Sequence, residues 1–196
     1  MDEKTLKEKA IDTYIWGRHN KVPGYFSAAS CFERACLGKP ALNIDELMEL
    51  IEDLIHYAAA SGMLSLTISL KNIEVFTGAF EEARFPFDPY VMGIEGMFSC
   101  QYCDRTAKIK TFKVKSFYHE YMNFNERMHI VPELGHFFEE KTGLDAKAWT
   151  EYLDDQVFIE LFWLDQAEAN DLQKMVKTPL GYEAYLEGVP IEDILA

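Results

Sequence analysis

The chain has 196 residues, with 33 acidic side chains against 19 basic ones and a formal net charge of −14. This surplus argues against general affinity for nucleic acid or anionic membranes, and it suits a protein that binds basic partners. The apolar share of 48% and the aromatic share of 14% are typical of a folded globular protein and exclude a disordered chain.

The N-terminal segment, MDEKTLKEK, is polar and has no apolar core of the kind found in secretory signals. The longest clearly apolar run, residues 157–164, is interrupted by Glu160 and is too short to cross a bilayer. We therefore expect a cytoplasmic protein without a membrane segment. In that compartment the four cysteines are expected to be thiols or metal ligands rather than disulfides.

Three helices are predicted in the first part of the chain. Residues 2–17 repeat apolar side chains at helical spacing, and residues 25–37 predict a short buried helix. Residues 44–60 form the clearest amphipathic pattern, with Asn43 as the N-cap and Glu46 completing a capping box.

Two stretches follow strand patterns. Residues 64–70 alternate leucine or isoleucine with polar side chains, which predicts a half-buried strand. A continued helix is the alternative there, because residues 72–84 are helical in pattern. Residues 107–117 are rich in Ile, Thr, Phe and Val with lysines between them, which predicts an edge strand. Residues 90–98 are apolar and glycine-spaced, and their state stays open.

The C-terminal half predicts helices again. The first covers residues 118–130, and the second is a short helix that begins at Pro132 and ends at Gly143. The third is a long helix over residues 146–176, with Asp145 as its N-cap.

The predicted fold class is therefore α+β and mainly helical, with helical layers and a small antiparallel sheet. The sheet is expected to contain residues 64–70 and 109–117. Residues 1–196 are expected to form one domain. A subdivision would fall at residues 85–89, whose sequence FPFDP forms a rigid break.

The four cysteines fall into two pairs, Cys31/Cys36 and Cys100/Cys103. Four thiolates in two pairs are the ligand set of a tetrahedral structural zinc site, so zinc is the candidate cofactor. A helix over residues 25–37 would separate Cys31 and Cys36 by about 140° around its axis, which opposes a shared ion. In the alternative interpretation, Cys31 and Cys36 are small buried hydrophobic residues. A third interpretation is that Cys100 and Cys103 form a redox-active Cys-x-x-Cys pair.

Three acid-x-x-His pairs have the spacing found in di-iron helical bundles, where a carboxylate and an imidazole share one helix face. They are Asp53/His56, Glu126/His129 and Glu133/His136. On their predicted helices Asp53 and Glu126 lie opposite the apolar face, so we expect solvated surfaces there. Pro132 is expected to separate the last two pairs.

Glu160 lies within VFIELFWL, on the same predicted helical stripe as Val157 and Leu164. A carboxylate buried there needs a partner or takes up a proton, and such groups are enriched at functional sites. Glu160 is therefore a candidate buried functional carboxylate. The alternatives are a satisfied structural carboxylate, or a strand that places Glu160 elsewhere.

A basic segment follows Cys103 and contrasts with the acidic remainder of the chain. Five cations without an intervening acid, together with one aromatic residue, form a candidate partner-binding strand. They are Arg105, Lys108, Lys110, Phe112, Lys113 and Lys115. The alternatives are pairing with the protein's own carboxylates, or binding of a single-stranded nucleic acid. From Glu151 onward the sequence contains eleven acidic residues and only two lysines, which predicts an acidic surface.

No nucleotide-binding loop, nucleophile elbow or zinc-protease motif occurs in the sequence. With the segregated charge, this favours a non-enzymatic cytoplasmic protein that binds a macromolecular partner, a protein rather than a nucleic acid. An inhibitor, immunity-type or adaptor role would suit it. The alternative is a metal-binding helical protein or metal-dependent enzyme that uses Cys100 and Cys103, or the Glu/His residues at 126–136.

Overall fold

The computed structural model describes residues 3–22, 44–76, 90–100, 106–116, 126–150 and 156–196. These ranges contain six helices and five strands. The helices are α1 (Leu6–Asn20), α2 (Ile44–Ala60), α3 (Glu126–Thr142), α4 (Gln166–Val176), α5 (Pro179–Leu186) and α6 (Ile191–Leu195). The strands are β1 (Ser65–Phe76), β2 (Tyr90–Cys100), β3 (Thr106–Ser116), β4 (Asp145–Thr150) and β5 (Gln156–Phe162).

The five strands form one antiparallel sheet in the order β3-β2-β1-β5-β4. Leu66 and Ile68 of β1 lie opposite Leu161 and Ile159 of β5, and all four side chains are fully buried. Helix α2 contacts β1 and β3, and α3 contacts β3, β4 and β5, so both helices cover this apolar face. The opposite face carries polar residues such as Thr67 and Glu160, together with the stacked rings of Trp149 and Phe158.

The remaining helices pack next to α2 or next to one another. Helix α1 packs against α2 and α4, and its residues Ala10 and Tyr14 are fully buried. The hydroxyl oxygen of Tyr14 accepts a hydrogen bond from Nε2 of Gln173 in α4 at 3.0 Å. Helices α5 and α6 pack against α4 and against each other. The first helix and the last three are therefore close in space although they lie at opposite ends of the sequence.

The α+β class with an antiparallel sheet is confirmed, and the described helices contain more residues than the strands. Helix α1 begins behind a capping box formed by Thr5 and Glu8, and α2 covers the predicted residues 44–60. The strands expected at 64–70 and 107–117 are β1 and β3, and β3 is an edge strand as its lysines indicate. The sheet is larger than the small one predicted, because three more strands join it.

The predicted helix over residues 146–176 is wrong. Strands β4 and β5 occupy its first part, and α4 begins only after the cap residue Asp165. The buried residues alternate along the chain: Val157, Ile159, Leu161 and Trp163. Valine, isoleucine and aromatic side chains favour a strand. Pairing with β1 then buries this alternating face. The free energy gained by that burial outweighs the preference for a helix that the spacing of a few apolar residues indicated.

Two further boundaries differ from the prediction. Pro132 lies inside α3 instead of opening a helix, whereas Gly143 follows the helix end with a φ of +68°. Proline has no N–H and cannot donate to the carbonyl of Met128, so the contacts of α3 with the sheet maintain a continuous helix. Residues 72–76 continue β1 and do not begin a helix.

Several predicted features lie outside the described residues. They are the helix at 25–37, the Asn43 cap, the break at 85–89 and the first part of the helix at 118–130. The single domain over 1–196 therefore stays a prediction. None of the helices in the described part of the chain is long and apolar enough to cross a membrane.

Candidate functional site

A groove of about 630 Å³ lies between α1 and the C-terminal helices α5 and α6. Apolar and aromatic side chains form most of its walls. They include Ile15 and Trp16 of α1, Tyr182, Tyr185 and Leu186 of α5, and Ile191 of α6. Trp16 is 49% exposed and Leu186 is 66% exposed, whereas Ile15 is fully buried. The groove therefore presents a large exposed apolar surface directly beside the hydrophobic core.

Local sequence places α5 and α6 along this groove. Thr178 caps α5 by accepting a hydrogen bond from the backbone N–H of Gly181 at 3.2 Å, and Pro179 begins the helix, where proline is favourable. A side chain at Gly181 would place its Cβ 2.7 Å from the carbonyl oxygen of Met175, so α5 can approach α4 closely only with glycine. Gly188, with a φ of +84°, turns the chain between α5 and α6.

Asp12 connects the two sides of the groove. Its carboxylate accepts hydrogen bonds from Nζ of Lys4 at 2.5 Å and from the hydroxyl of Tyr185. Burial raises the pKa of Tyr185 well above its usual range, and the hydrogen bond to Asp12 raises it further. Nearby, the rings of His19 and Tyr182 stack with their centroids 3.8 Å apart. The main polar groups of the groove are thus already bonded to one another.

This arrangement predicts a pH dependence that Tyr185→Phe removes. The unfolded chain releases the Tyr185 proton near pH 10, whereas the folded chain retains it because its pKa is raised. The stabilisation is complete below that pH and is lost as the pH rises toward the folded-state pKa. We expect the free energy of unfolding of the wild type to fall more steeply than that of Tyr185→Phe above about pH 10. Urea unfolding at several pH values tests this, and parallel curves would contradict it.

The C-terminal helices combine exposed apolar and acidic residues. Residues 178–196 contain four acidic side chains and no lysine or arginine. The four are Glu183, Glu187, Glu192 and Asp193, and all are exposed. None of them pairs with a cation in the described part of the chain. The C-terminal helices that border the groove therefore carry both exposed apolar side chains and carboxylates without a cationic partner in the described part of the chain.

The predicted metal ligands are covered only in part. Cys31, Cys36 and Cys103 lie outside the described residues, and Cys100 is the last residue of β2. Across the described ranges, no three His, Cys, Asp or Glu side chains are grouped so that they could hold a metal ion. Zinc binding by the cysteines stays a prediction.

Three residues of the acid-x-x-His pairs lie at the surface of the described part of the chain. Asp53 and His136 are exposed, and His56 is partly exposed. Helix α3 contains residues 126–136 without interruption, so the expected separation of its two pairs at Pro132 is wrong. The continuous helix follows from its packing on the sheet.

The basic segment predicted to bind a partner forms the edge strand β3, except Arg105, which lies outside the described residues. A one-residue bulge in β3 includes Lys110 and changes which residues share a face. Partner binding by these residues stays a prediction.

Glu160 belongs to β5 and is partly exposed, so its predicted burial on a helical stripe is wrong. The strand places it on the sheet face away from the helices, opposite Thr67 of β1 and Lys147 of β4. Its Oε1 accepts a hydrogen bond from Oγ of Ser65 at 2.7 Å. Glu160 is therefore a hydrogen-bonded group of the sheet surface.

A second cavity of about 550 Å³ lies at one end of the sheet. Nζ of Lys7 lies 3.6 Å from Asp145 across it. The other two carboxylates of its wall, Asp165 and Glu168, form the capping box of α4. None of the strongly exposed large apolar side chains of the described residues lines this cavity, whereas Trp16 and Leu186 line the groove, so the groove is the better candidate site.

The sequence pattern alone did not indicate that Trp16 and Leu186 belong to the candidate site. The predicted stripe of α1 passes through Ala10 and Tyr14, and Trp16 lies off it; a large aromatic residue off the buried stripe was the available signal. For Leu186 the sequence gives no comparable signal, because the proline and glycine at positions 179 and 181 are typical of a chain break and not of a helix.

No protein-family model matches the chain, and no curated protein or solved structure is significantly similar to it. Geometry and chemistry are therefore the basis for assigning a function.

Proposed function

We propose that this chain is a cytoplasmic, non-enzymatic binding protein that engages a protein partner through the groove between α1, α5 and α6. The observation that carries the proposal is that Trp16 and Leu186, both strongly exposed, border one shared groove. Single exposed apolar residues are ordinary, but apolar residues clustered in a groove mark interaction sites. Tryptophan is also enriched among residues that dominate binding energy. An inhibitor, immunity-type or adaptor role fits such a surface.

The polar groups of the groove favour a protein over a small ligand. Its volume is within the range of small-molecule pockets, roughly 300–1,000 Å³, but those pockets orient their ligands through a few available polar groups. Here Asp12 is bonded to both Lys4 and Tyr185. A partner that inserts apolar side chains needs no such groups, since burial of its apolar area supplies the free energy.

Two leucines of α5 provide a matched test. Leu186 lines the groove, whereas Leu180 does not, and both are strongly exposed. Immobilised wild type, Leu186→Ser and Leu180→Ser are incubated with lysate of the source organism, and the retained proteins are quantified. We expect the wild type and Leu180→Ser to retain one partner in equal amounts. Leu186→Ser should retain about tenfold less of it, or still less, as expected for a binding hot spot.

Trp16→Ala is expected to reduce retention of the same partner. Thermal unfolding should be nearly the same for the two leucine variants, because neither side chain is in the core. If no retained protein distinguishes Leu186→Ser from Leu180→Ser, the groove is not the binding site and the proposal is wrong.

A further inference from the structure

We infer that the groove receives the apolar face of a basic amphipathic helix contributed by the partner, an inference that rests on the proposed function. The walls come from α1, α5, α6 and the turn between the last two, and no strand is among its lining residues. Addition of an extended strand needs an exposed sheet edge, which this site lacks. Insertion of a helix needs only a hydrophobic groove.

The size of the groove fits one helix face. A cavity on the order of 150 Å³ holds one benzene-sized group. The groove, at about 630 Å³, accommodates roughly four groups of that size. An amphipathic helix presents that number of anchors at positions i, i+3, i+4 and i+7. A single inserted side chain would leave most of the groove unfilled.

The charge around the groove selects a basic helix. Glu187 directly follows the lining residue Leu186, and Glu192 directly follows Ile191. Lys4 is the only cation among the described lining residues, and Asp12 neutralises it at 2.5 Å. Exposed carboxylates thus directly follow two lining residues in the chain, and lysine and arginine on the polar face of an incoming helix would complement them.

The nearest arginine of α1 does not offset this charge at the groove. Arg18 lies over the ring of Tyr14 at 5.6 Å, and its Nη2 donates to the carbonyl of Gly62 at 3.4 Å. The second contact places its guanidinium at the end of α2. With a net charge of −14 on the whole chain, approach of a basic helix is favoured and an acidic one is repelled.

Labelled synthetic peptides test the inference by fluorescence anisotropy against the intact chain. The probe is a helix-forming peptide of about four turns, roughly 14 residues, with leucines at i, i+3, i+4 and i+7 and lysines and arginines elsewhere. Three peptides serve for comparison: a scrambled version, a version with glutamates in place of the cations, and a proline-rich basic peptide of equal charge. We expect the probe to bind at least about tenfold more tightly than each of them.

Variants then locate the binding. Leu186→Ser should weaken binding of the probe about tenfold, whereas Leu180→Ser should leave it unchanged. The double variant Glu187→Gln/Glu192→Gln should weaken binding severalfold at low salt, with a smaller effect at high salt. Its control, Glu49→Gln/Asp53→Asn, changes the net charge equally on exposed positions of α2 and should have no such effect.

Several results would overturn the inference: tighter binding of the proline-rich or acidic peptide, or equal binding of the probe to Leu186→Ser and Leu180→Ser. If a lysate partner depends on Leu186 but the probe does not bind, the helical occupant is wrong and the proposed function stands. If lysate capture is also insensitive to Leu186→Ser, the proposed function fails as well.

Discussion

Replacing Trp163 by alanine is expected to lower the free energy of unfolding by roughly 3–5 kcal/mol. Trp163 is the largest fully buried side chain, with 1% exposure, and it follows the last residue of β5. Its indole Nε1 donates to the carbonyl of Met63 at 3.0 Å, and its backbone N–H donates to the carbonyl of Leu64 at 3.2 Å. Alanine would leave a cavity and remove the indole donor where α2 passes into β1.

Urea unfolding followed by far-ultraviolet circular dichroism measures the loss, since that signal does not depend on tryptophan fluorescence. Trp163→Phe is the control, because it keeps most of the buried volume but removes the hydrogen bond to Met63. It should cost about 1–3 kcal/mol, chiefly from the unsatisfied carbonyl and the smaller ring. An alanine variant within about 1 kcal/mol of the wild type would show that this corner contributes little to stability.

Replacing Gly17 by alanine is expected to cost about 3 kcal/mol, at the upper end for an overpacked core. A Cβ on Gly17 would lie 2.0 Å from the carbonyl oxygen of Ala60 and 2.7 Å from its Cα. Both are backbone atoms, so α1 and α2 must move apart. The gain in helix propensity from glycine to alanine, about 1 kcal/mol, does not offset this. A displaced α1 would also move Trp16, so the partner binding that we propose for the groove should weaken as well.

Gly135→Ala is the matched control, since Gly135 also lies inside a helix. There the nearest atom to the new Cβ is the Cβ of Ala148, at 3.3 Å, which needs a shift of only a few tenths of an ångström. The better helix propensity of alanine then balances the contact, and we expect a change within about 1 kcal/mol. Equal unfolding midpoints for Gly17→Ala and Gly135→Ala would contradict the close contact between α1 and α2.

Segments whose pattern clearly favours one structure were predicted correctly. Residues 44–60 have an apolar face at helical spacing and form α2. Residues 64–70 alternate strictly and lie in β1, with Leu66 and Ile68 fully buried. The lysines of 107–117 indicated an edge position, which β3 occupies. In each of these segments, the secondary structure that the local sequence favours is also the one that the tertiary structure contains.

The segment around Glu160 shows why the remainder was not predictable. Its apolar residues satisfy both a helical spacing, through Val157, Leu161 and Leu164, and an alternating one, through Val157, Ile159 and Leu161. Only the neighbouring strand β1, about 90 residues earlier in the chain, decides between them by offering backbone partners and an apolar face to cover. The choice moved Glu160 from a presumed core position to the sheet surface.

By itself, the sequence determined the acidic character of the chain, the α+β class and the segments whose apolar periodicity is unambiguous, because charge and local burial pattern are properties of neighbouring residues. Only the tertiary structure decided that α3 continues through Pro132 and that α1 meets α5 and α6. It also decided that Trp16 and Leu186 share a groove. These outcomes depend on contacts between residues as far apart as Asp12 and Tyr185, and no local pattern encodes the packing free energy of such contacts.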